Sequence, residues 1–105
     1  MDMEEFQELY ASESREHLDI LNNSLLTLEN EPDNLELINE SFRAAHTLKG
    51  MAGTMGFDKV SELAHAMENI LDSLRSQELV VNTEVINLLF EAVDTLELLS
   101  NSPED

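Results

Sequence analysis

Cysteine is absent from the sequence, which excludes a disulfide framework and any thiolate metal site and is typical of a reducing compartment. Basic residues are scarce: 5 lysines and arginines stand against 23 aspartates and glutamates, for a formal net charge of −18. Nucleic acids and anionic membranes would be repelled by this surface, so neither is expected as a partner. A protein with a basic patch is compatible with it.

Long apolar runs are absent as well. No segment approaches the roughly 20 consecutive apolar residues that span a bilayer, and no basic stretch followed by an apolar core opens the chain as a signal peptide would. We therefore expect a cytoplasmic protein without membrane insertion. The 105 residues, of which 42% are hydrophobic, suffice for one domain with its own core but hardly for two.

The apolar residues recur at three- and four-residue spacing, which predicts amphipathic helices and not strands. Four such segments run from Phe6 to Leu28, from Leu35 to Met55, from Val60 to Leu74 and from Val85 to Leu99. Short connections between four helices favour an all-α, antiparallel up-down four-helix bundle. We assign this domain to residues 1–100. Residues 101–105, which contain Pro103 and two acidic residues, are predicted to be the start of a linker or a disordered tail.

Polar residues and one glycine mark the expected ends of the helices. The candidate N-caps are Asp33 or Asn34 for the second helix, Asp58 for the third, and Asn82 or Thr83 for the fourth. Gly56 is suited to a left-handed C-cap of the second helix. The pattern of the fourth helix predicts an inward face made of Val85, Leu89, Ala92, Leu96 and Leu99.

All three glycines fall in one stretch, HTLKGMAGTMGF, from His46 to Phe57. A glycine inside a helix costs roughly 1 kcal/mol relative to alanine, so the cluster calls for a reason. At about 100° per residue, His46 lies just off the edge of the apolar face, and Gly50 and Gly53 lie on the same flank. Two interpretations are open: the glycines permit close helix packing beside an ordinary histidine, or they leave a bare groove for another protein's active site. Gly50 lies well outside the apolar face, which favours the second.

The third helix carries a carboxylate that can reach this histidine. Glu68 and His65 lie three residues apart on one flank of that helix, beside its apolar face. In an antiparallel hairpin that turns near residues 56–58, a hydrogen bond from His46 to Glu68 is expected. Glu68 would accept a hydrogen bond from Nδ1–H, which leaves the lone pair on Nε2, and would stabilise the positive charge that develops when Nε2 attacks an electrophile. Lys49, one turn on from His46, is placed to pair with the oxygens of an incoming phosphoryl group.

Other chemistries fit the sequence less well. His46, His65 and Glu68 are the residue types of a facial-triad metal site, but Lys49 would repel a cation, and the repeated Glu-x-x-His pattern of di-iron bundles is absent. We therefore expect no bound metal. No Ser-His-Asp or paired-acid arrangement indicates a hydrolase. Neither a G-x-G-x-x-G nor a Walker sequence is present, so the chain is not expected to bind ATP by itself.

Two stretches together resemble a known family, namely HTLKGMAGTMGF at 46–57 and LAHAMENILD at 63–72. The His-x-x-Lys-Gly core is similar to histidine phosphotransfer (HPt) domains generally, and the His-x-x-Glu on the next helix resembles the type found at the N-terminus of the chemotaxis histidine kinase CheA. The resemblance covers nearly the whole chain, from about Phe6 to Leu99, and implies a bundle of the HPt type. It implies that His46 is phosphorylated on Nε2, that Glu68 orients the imidazole, and that Lys49 and His65 complete the hydrogen-bond network.

The resemblance also implies partners. A separate CheA kinase domain, usually of the other subunit in a dimer, would supply the γ-phosphoryl group of ATP. ATP and magnesium would act on that domain, and no cofactor would be bound by this one. Response regulators of the CheY and CheB types would receive the phosphoryl group on an aspartate. The domain itself is expected to be a monomeric substrate and carrier, and the parent protein a dimeric histidine kinase. The alternative that stays open is a non-catalytic helical interaction module that keeps the histidine but has lost the exchange.

Overall fold

Four α-helices follow one another in the computed structural model of the chain, which describes residues 1–101. They are α1 (Met3–Leu28), α2 (Leu35–Met55), α3 (Asp58–Arg75) and α4 (Thr83–Asn101). No strand occurs among these described residues. The all-α fold predicted from the apolar spacing is therefore confirmed. Asn101 is the last residue of α4, and the remainder of the expected linker, residues 102–105, lies outside the described residues.

The helices form a closed ring of neighbours. α1 packs against α2 and α4, and α3 packs against the same two helices, while α2 and α4 lie on opposite corners and do not contact each other. This is the arrangement of an up-down antiparallel bundle. The described residues extend over 44 × 19 × 19 Å. None of the described helices is both long and apolar enough to cross a membrane.

The core consists of apolar side chains drawn from all four helices. Leucines dominate it, and those with no or almost no exposed surface are Leu21, Leu25, Leu28, Leu48, Leu71, Leu89 and Leu96. Since the chain has no cysteine, burial of this apolar surface is the main source of stability, at roughly 25 cal/mol per Å² removed from water. The packing of α2 and α3 against each other is the most extensive in the bundle.

Side-chain and backbone caps end the helices largely as the sequence predicts. Asn34 is the N-cap of α2, where its side chain accepts a hydrogen bond from the backbone N–H of Leu37 at 3.2 Å. The side chain of Asn82 accepts from the N–H of Val85 at 2.9 Å and caps α4 in the same way. Gly56 adopts the left-handed conformation, with φ of 76°, at the end of α2.

The predicted N-cap of α3 is wrong. Asp58 is the first helical residue, and the N-cap is Phe57, which makes no side-chain capping bond. The reason lies in the two-residue link between α2 and α3. Phe57 is 7% exposed, its N–H donates to Ala52 at 2.9 Å, and its ring packs edge-on against Tyr10. The Schellman-type end of α2 therefore leads directly into α3. Asp58 is already inside the first turn of α3, so it cannot act as the N-cap.

The inward face of α4 is rotated by one residue relative to the sequence prediction. Leu89 and Leu96 are buried as expected, but Ile86 and Val93 share the buried face with them. The other predicted members, Val85, Ala92 and Leu99, are half-buried at its rim. The segment is apolar at both of the adjacent positions 85–86 and 92–93. Both rotations therefore bury apolar surface, and the pattern alone could not choose between them.

Candidate functional site

The short link between α2 and α3 brings His46 and Glu68 face to face. Nδ1 of His46 is hydrogen-bonded to Oε2 of Glu68, as the helical spacing predicted. Nζ of Lys49 donates to the other carboxylate oxygen, Oε1, at 2.8 Å. The side chains are 63% exposed for His46, 29% for Lys49 and 10% for Glu68. A shielded carboxylate thus holds an exposed imidazole on one oxygen and an ammonium group on the other.

The carboxylate of Glu68 is kept ionised by its two partners. Burial on its own would raise the pKa of this side chain, but the hydrogen bonds and positive charge of Lys49 and His46 outweigh it, and the pKa of Glu68 is lowered. Glu68 therefore carries a full negative charge at neutral pH. It lies deeper than the position beside the core that the sequence indicates, with the residue only 7% exposed. Such a charge stabilises positive charge on the neighbouring imidazole.

The lowered pKa of Glu68 predicts how this contact contributes to stability as the pH changes. Because the folded state binds the Glu68 proton less readily than the unfolded state, the contribution is complete above the ordinary pKa of glutamate and is lost as the pH falls through the lowered value. We expect the difference in free energy of unfolding between wild type and Glu68→Gln to shrink as the pH falls below the ordinary pKa of glutamate. Urea unfolding at a series of pH values measures it. If the free energies of unfolding of the two proteins differ by the same amount at every pH, this linkage is wrong.

The second nitrogen of His46 is open. Nδ1 is engaged with Glu68, whereas Nε2 has no hydrogen-bond partner within residues 1–101. When Nδ1 carries the proton and donates it to the carboxylate, the lone pair of the neutral ring resides on Nε2. The exposed nitrogen is then the nucleophilic one. This geometry suits attack on an electrophile that another molecule presents.

The two glycines beside His46 have no packing role that requires glycine. A Cβ atom added at Gly50 would meet nothing within 4 Å, and one at Gly53 would lie 3.7 Å from Oγ of Ser61, an ordinary contact distance. Both residues are exposed. The interpretation that they permit close packing between helices of this chain is therefore wrong. Their predicted part in admitting a partner's active site remains a prediction.

His65 lies apart from the hydrogen-bonded group. It is exposed on α3, and it makes no hydrogen bond or ion pair within the described part of the chain. Its expected place in the network remains a prediction. No group of three acidic or histidine side chains in residues 1–101 is arranged to hold a metal ion. At Glu68, both carboxylate oxygens are already engaged, one by His46 and the other by Lys49.

Two residues near the site were not identified from the sequence. The ring of Phe42, one turn before His46, lies 15° from parallel to the imidazole with centroids 6.3 Å apart. Arg75, the last residue of α3, places its guanidinium carbon 4.0 Å from the centroid of the Phe42 ring. The spacing of Phe42 and His46 at i and i+4 was a usable signal for the first contact. Nothing in the sequence pattern indicated the second.

An apolar groove lies between α1 and α2, next to Gly50. It is lined by Phe6, Leu9, Tyr10, Met51 and Met55 together with Glu13, Gly50 and Thr54. We call it the α1–α2 groove. Phe6 is 45% exposed and Leu9 is 46% exposed, although both belong to the apolar spacing of α1. Exposed apolar surface beside a functional group is typical of a surface that binds another protein.

Known proteins are similar to this chain both in sequence and in fold. The family model described as the Hpt domain matches residues 5–100. Chemotaxis protein CheA of Bacillus subtilis is 44% identical over 102 residues, which are 97% of this chain and 15% of that protein. CheA of Halobacterium salinarum is 45% identical over 95 residues, which are 90% of this chain and 14% of that protein. The chain thus spans only 14–15% of the length of these relatives.

Solved structures match the whole bundle. The CheA phosphotransferase domain from Thermotoga maritima is 42% identical, with a TM-score of 0.93 and 97% of each chain covered. The phosphorylated P1 domain of CheA3 in complex with CheY6 from R. sphaeroides is 30% identical, with a TM-score of 0.90, covering 97% of this chain and 80% of that one. Both similarities include the α2–α3 hairpin that holds His46, Lys49 and Glu68 together.

Proposed function

Because this chain belongs to the Hpt domain family, we propose that it carries a phosphoryl group on Nε2 of His46 between a histidine kinase domain and a response regulator. The observation that carries this proposal is the exposed His46, whose Nδ1 is held by a buried carboxylate while Nε2 stays open. The relatives that are CheA proteins support a place in chemotaxis signalling. A cytoplasmic location and a dimeric parent kinase belong to the same proposal.

The first transfer forms one bond to nitrogen and breaks one bond to oxygen. Nε2 of His46 attacks the γ-phosphorus of ATP held with magnesium on the kinase domain, and the bridging oxygen leaves with ADP. The proton on Nδ1 stays in its hydrogen bond, so the imidazole becomes cationic, and the charge of Glu68 stabilises it. In phosphoryl transfer, positioning and charge stabilisation supply most of the catalysis, and the partner holds the nucleotide. This domain acts as the substrate.

The second transfer returns the imidazole to its starting state. An aspartate oxygen of a CheY- or CheB-type regulator attacks the phosphorus, the P–N bond breaks, and its electron pair goes back to Nε2. The relative that was solved in its phosphorylated form together with CheY6 supports a regulator of this class as the acceptor. The exposed apolar surface of the α1–α2 groove, immediately beside Gly50, supports docking of the partner there.

Lys49 is proposed to contact the phosphoryl group. At rest its ammonium group pairs with Glu68 at 2.8 Å, one helical turn from His46. Its side chain is 29% exposed and flexible, so it can turn towards a phosphoryl oxygen on Nε2. Glu68 retains the bond to Nδ1 throughout. Lys49 thus balances charge on the carboxylate before transfer and on the phosphoryl group after it.

The proposed function is tested by intact-mass analysis after incubation with ATP, magnesium and a CheA kinase fragment that lacks its own phosphotransfer domain. We expect a mass gain of one phosphoryl group that is labile to acid, since phosphohistidine hydrolyses in acid. His46→Gln should remove the gain, whereas His65→Gln and His17→Gln, which change the other two histidines, should keep it. No gain with a kinase that phosphorylates another such domain would overturn the proposal and favour the interaction module.

A further inference from the structure

The hydrogen bond to Glu68 fixes only one atom of the His46 ring. A single bond at Nδ1 leaves the imidazole free to turn about the line that joins Nδ1 to the carboxylate oxygen. The side chain is 63% exposed, so packing against the bundle restrains it little. In-line attack on phosphorus requires the lone pair of Nε2 to point in one direction. A second contact that fixes the plane of the ring is therefore needed.

Phe42 provides that contact. It precedes His46 by one turn of α2, and its ring lies 15° from parallel to the imidazole at a centroid distance of 6.3 Å. This is within the range of offset-stacked aromatic pairs. Phe42 is itself half-buried and packs against the hydrophobic core. The Phe42 ring is therefore held by the interior of the bundle, and the exposed imidazole stacks on this fixed ring.

Arg75 holds Phe42 from the side of α3. Its guanidinium carbon lies 4.0 Å from the centroid of the phenyl ring, well inside the distance for a cation–π contact. Nη2 of Arg75 donates to Oδ1 of Asp72 at 2.6 Å, which fixes the guanidinium in turn. The positive charge at the C-terminal end of α3 is also favoured by the helix dipole. Glu68 and Asp72, one turn apart on α3, thus restrain His46 at two points, directly and through Arg75 and Phe42.

We propose that Phe42 is a positioning residue for phosphorylation, which sets the plane of the His46 imidazole, and that Arg75 holds Phe42 in that orientation. Only the kinetic part of this inference rests on the proposed function. The stack also predicts a property of the free domain: the ring protons of His46 should experience the ring current of Phe42 in the absence of any kinase or nucleotide.

The kinetic experiment compares Phe42→Leu with Phe42→Tyr, which keeps an aromatic ring, and with Leu37→Ala, which removes apolar packing from another half-buried position of α2. We expect kcat for phosphorylation by the kinase fragment to fall roughly tenfold in Phe42→Leu, with KM unchanged, and to be retained in Phe42→Tyr and Leu37→Ala. Arg75→Met should lower kcat about threefold. Arg43→Met, which removes an exposed positive charge from α2, should leave kcat unchanged.

The spectroscopic experiment separates this inference from the proposed function. In proton NMR spectra of the free proteins, the His46 ring-proton shifts should move in Phe42→Leu and stay in place in Leu37→Ala. If the wild type is phosphorylated while Phe42→Leu keeps its kcat, or Leu37→Ala slows equally, positioning by Phe42 is wrong. If the wild type is not phosphorylated, the proposed function fails. Whatever the kinetic result, His46 signals that do not move in Phe42→Leu would show that the Phe42 ring does not orient the imidazole.

Discussion

Gly50→Leu is expected to stabilise the protein and at the same time to slow phosphoryl transfer on the order of 100-fold. The stabilisation follows because glycine is a poor helix residue and a Cβ at position 50 would meet nothing within 4 Å. Its size should be about 0.5–1 kcal/mol in the free energy of unfolding. The slowing follows because the added side chain fills the space beside Nε2 of His46 that the proposal reserves for the partner's active site.

Urea unfolding and single-turnover phosphorylation by the kinase fragment measure the two effects on the same preparation. Gly50→Ala should show the stabilisation with a smaller kinetic effect, since one methyl group occupies less of the opening. Asn87→Leu is the control for an added exposed leucine, because it places the same side chain at an exposed position of α4, the helix diagonal to α2. If Gly50→Leu transfers at the wild-type rate, the glycine does not serve partner access.

Glu68→Gln is expected to lower the phosphorylation rate by about 100-fold while the bundle stays folded. Glutamine keeps the volume of the buried side chain, and its amide oxygen can still accept a hydrogen bond from Nδ1–H of His46. It carries no charge, however, so the cation that forms on the imidazole during attack is no longer neutralised. The loss of the charged contact to Lys49 should cost about 1–2 kcal/mol in the free energy of unfolding, less than the total stability of an ordinary domain.

The rate under single-turnover conditions and the thermal unfolding of Glu68→Gln test this expectation together. Glu62→Gln is the control, because Glu62 is an exposed carboxylate on the same helix. It changes the net charge equally and should leave both the rate and the stability near those of wild type. A Glu68→Gln protein that is phosphorylated as fast as wild type would show that the carboxylate is structural. A protein that no longer folds would show the same.

The hydrogen bond between His46 and Glu68 could be predicted because helical geometry leaves little freedom. The pitch of a helix fixes which residues share a flank, and a turn at Gly56 fixes the height at which the flanks of α2 and α3 meet. The exposure of Gly50 follows from the same geometry. These features depend on the regular geometry of the helix backbone, so they can be predicted from the spacing of residues along the sequence.

Other features depend on how side chains pack, which the spacing of residues along the sequence does not determine. The rotation of α4 was not predictable, because its sequence is apolar on two adjacent faces and the choice between Val93 and Ala92 is made by the neighbouring helices. The contact of Arg75 with Phe42 depends on the rotamers of a long side chain at the end of α3. The capping role expected of Asp58 failed because the buried Phe57 occupies the short link.

The open side of His46 also has a kinetic consequence. Glu68 occupies Nδ1 and the Phe42 ring lies alongside the imidazole, so both partners react at the single nitrogen Nε2, beside the opening that we propose over Gly50, where an added Cβ would meet nothing within 4 Å. A phosphoryl donor and a phosphoryl acceptor must then use the same opening in turn, and no ternary complex of the three can form. The domain should obey double-displacement kinetics, with parallel lines in double-reciprocal plots. An excess of either partner in its unreactive form should inhibit the flow of phosphoryl groups by competition.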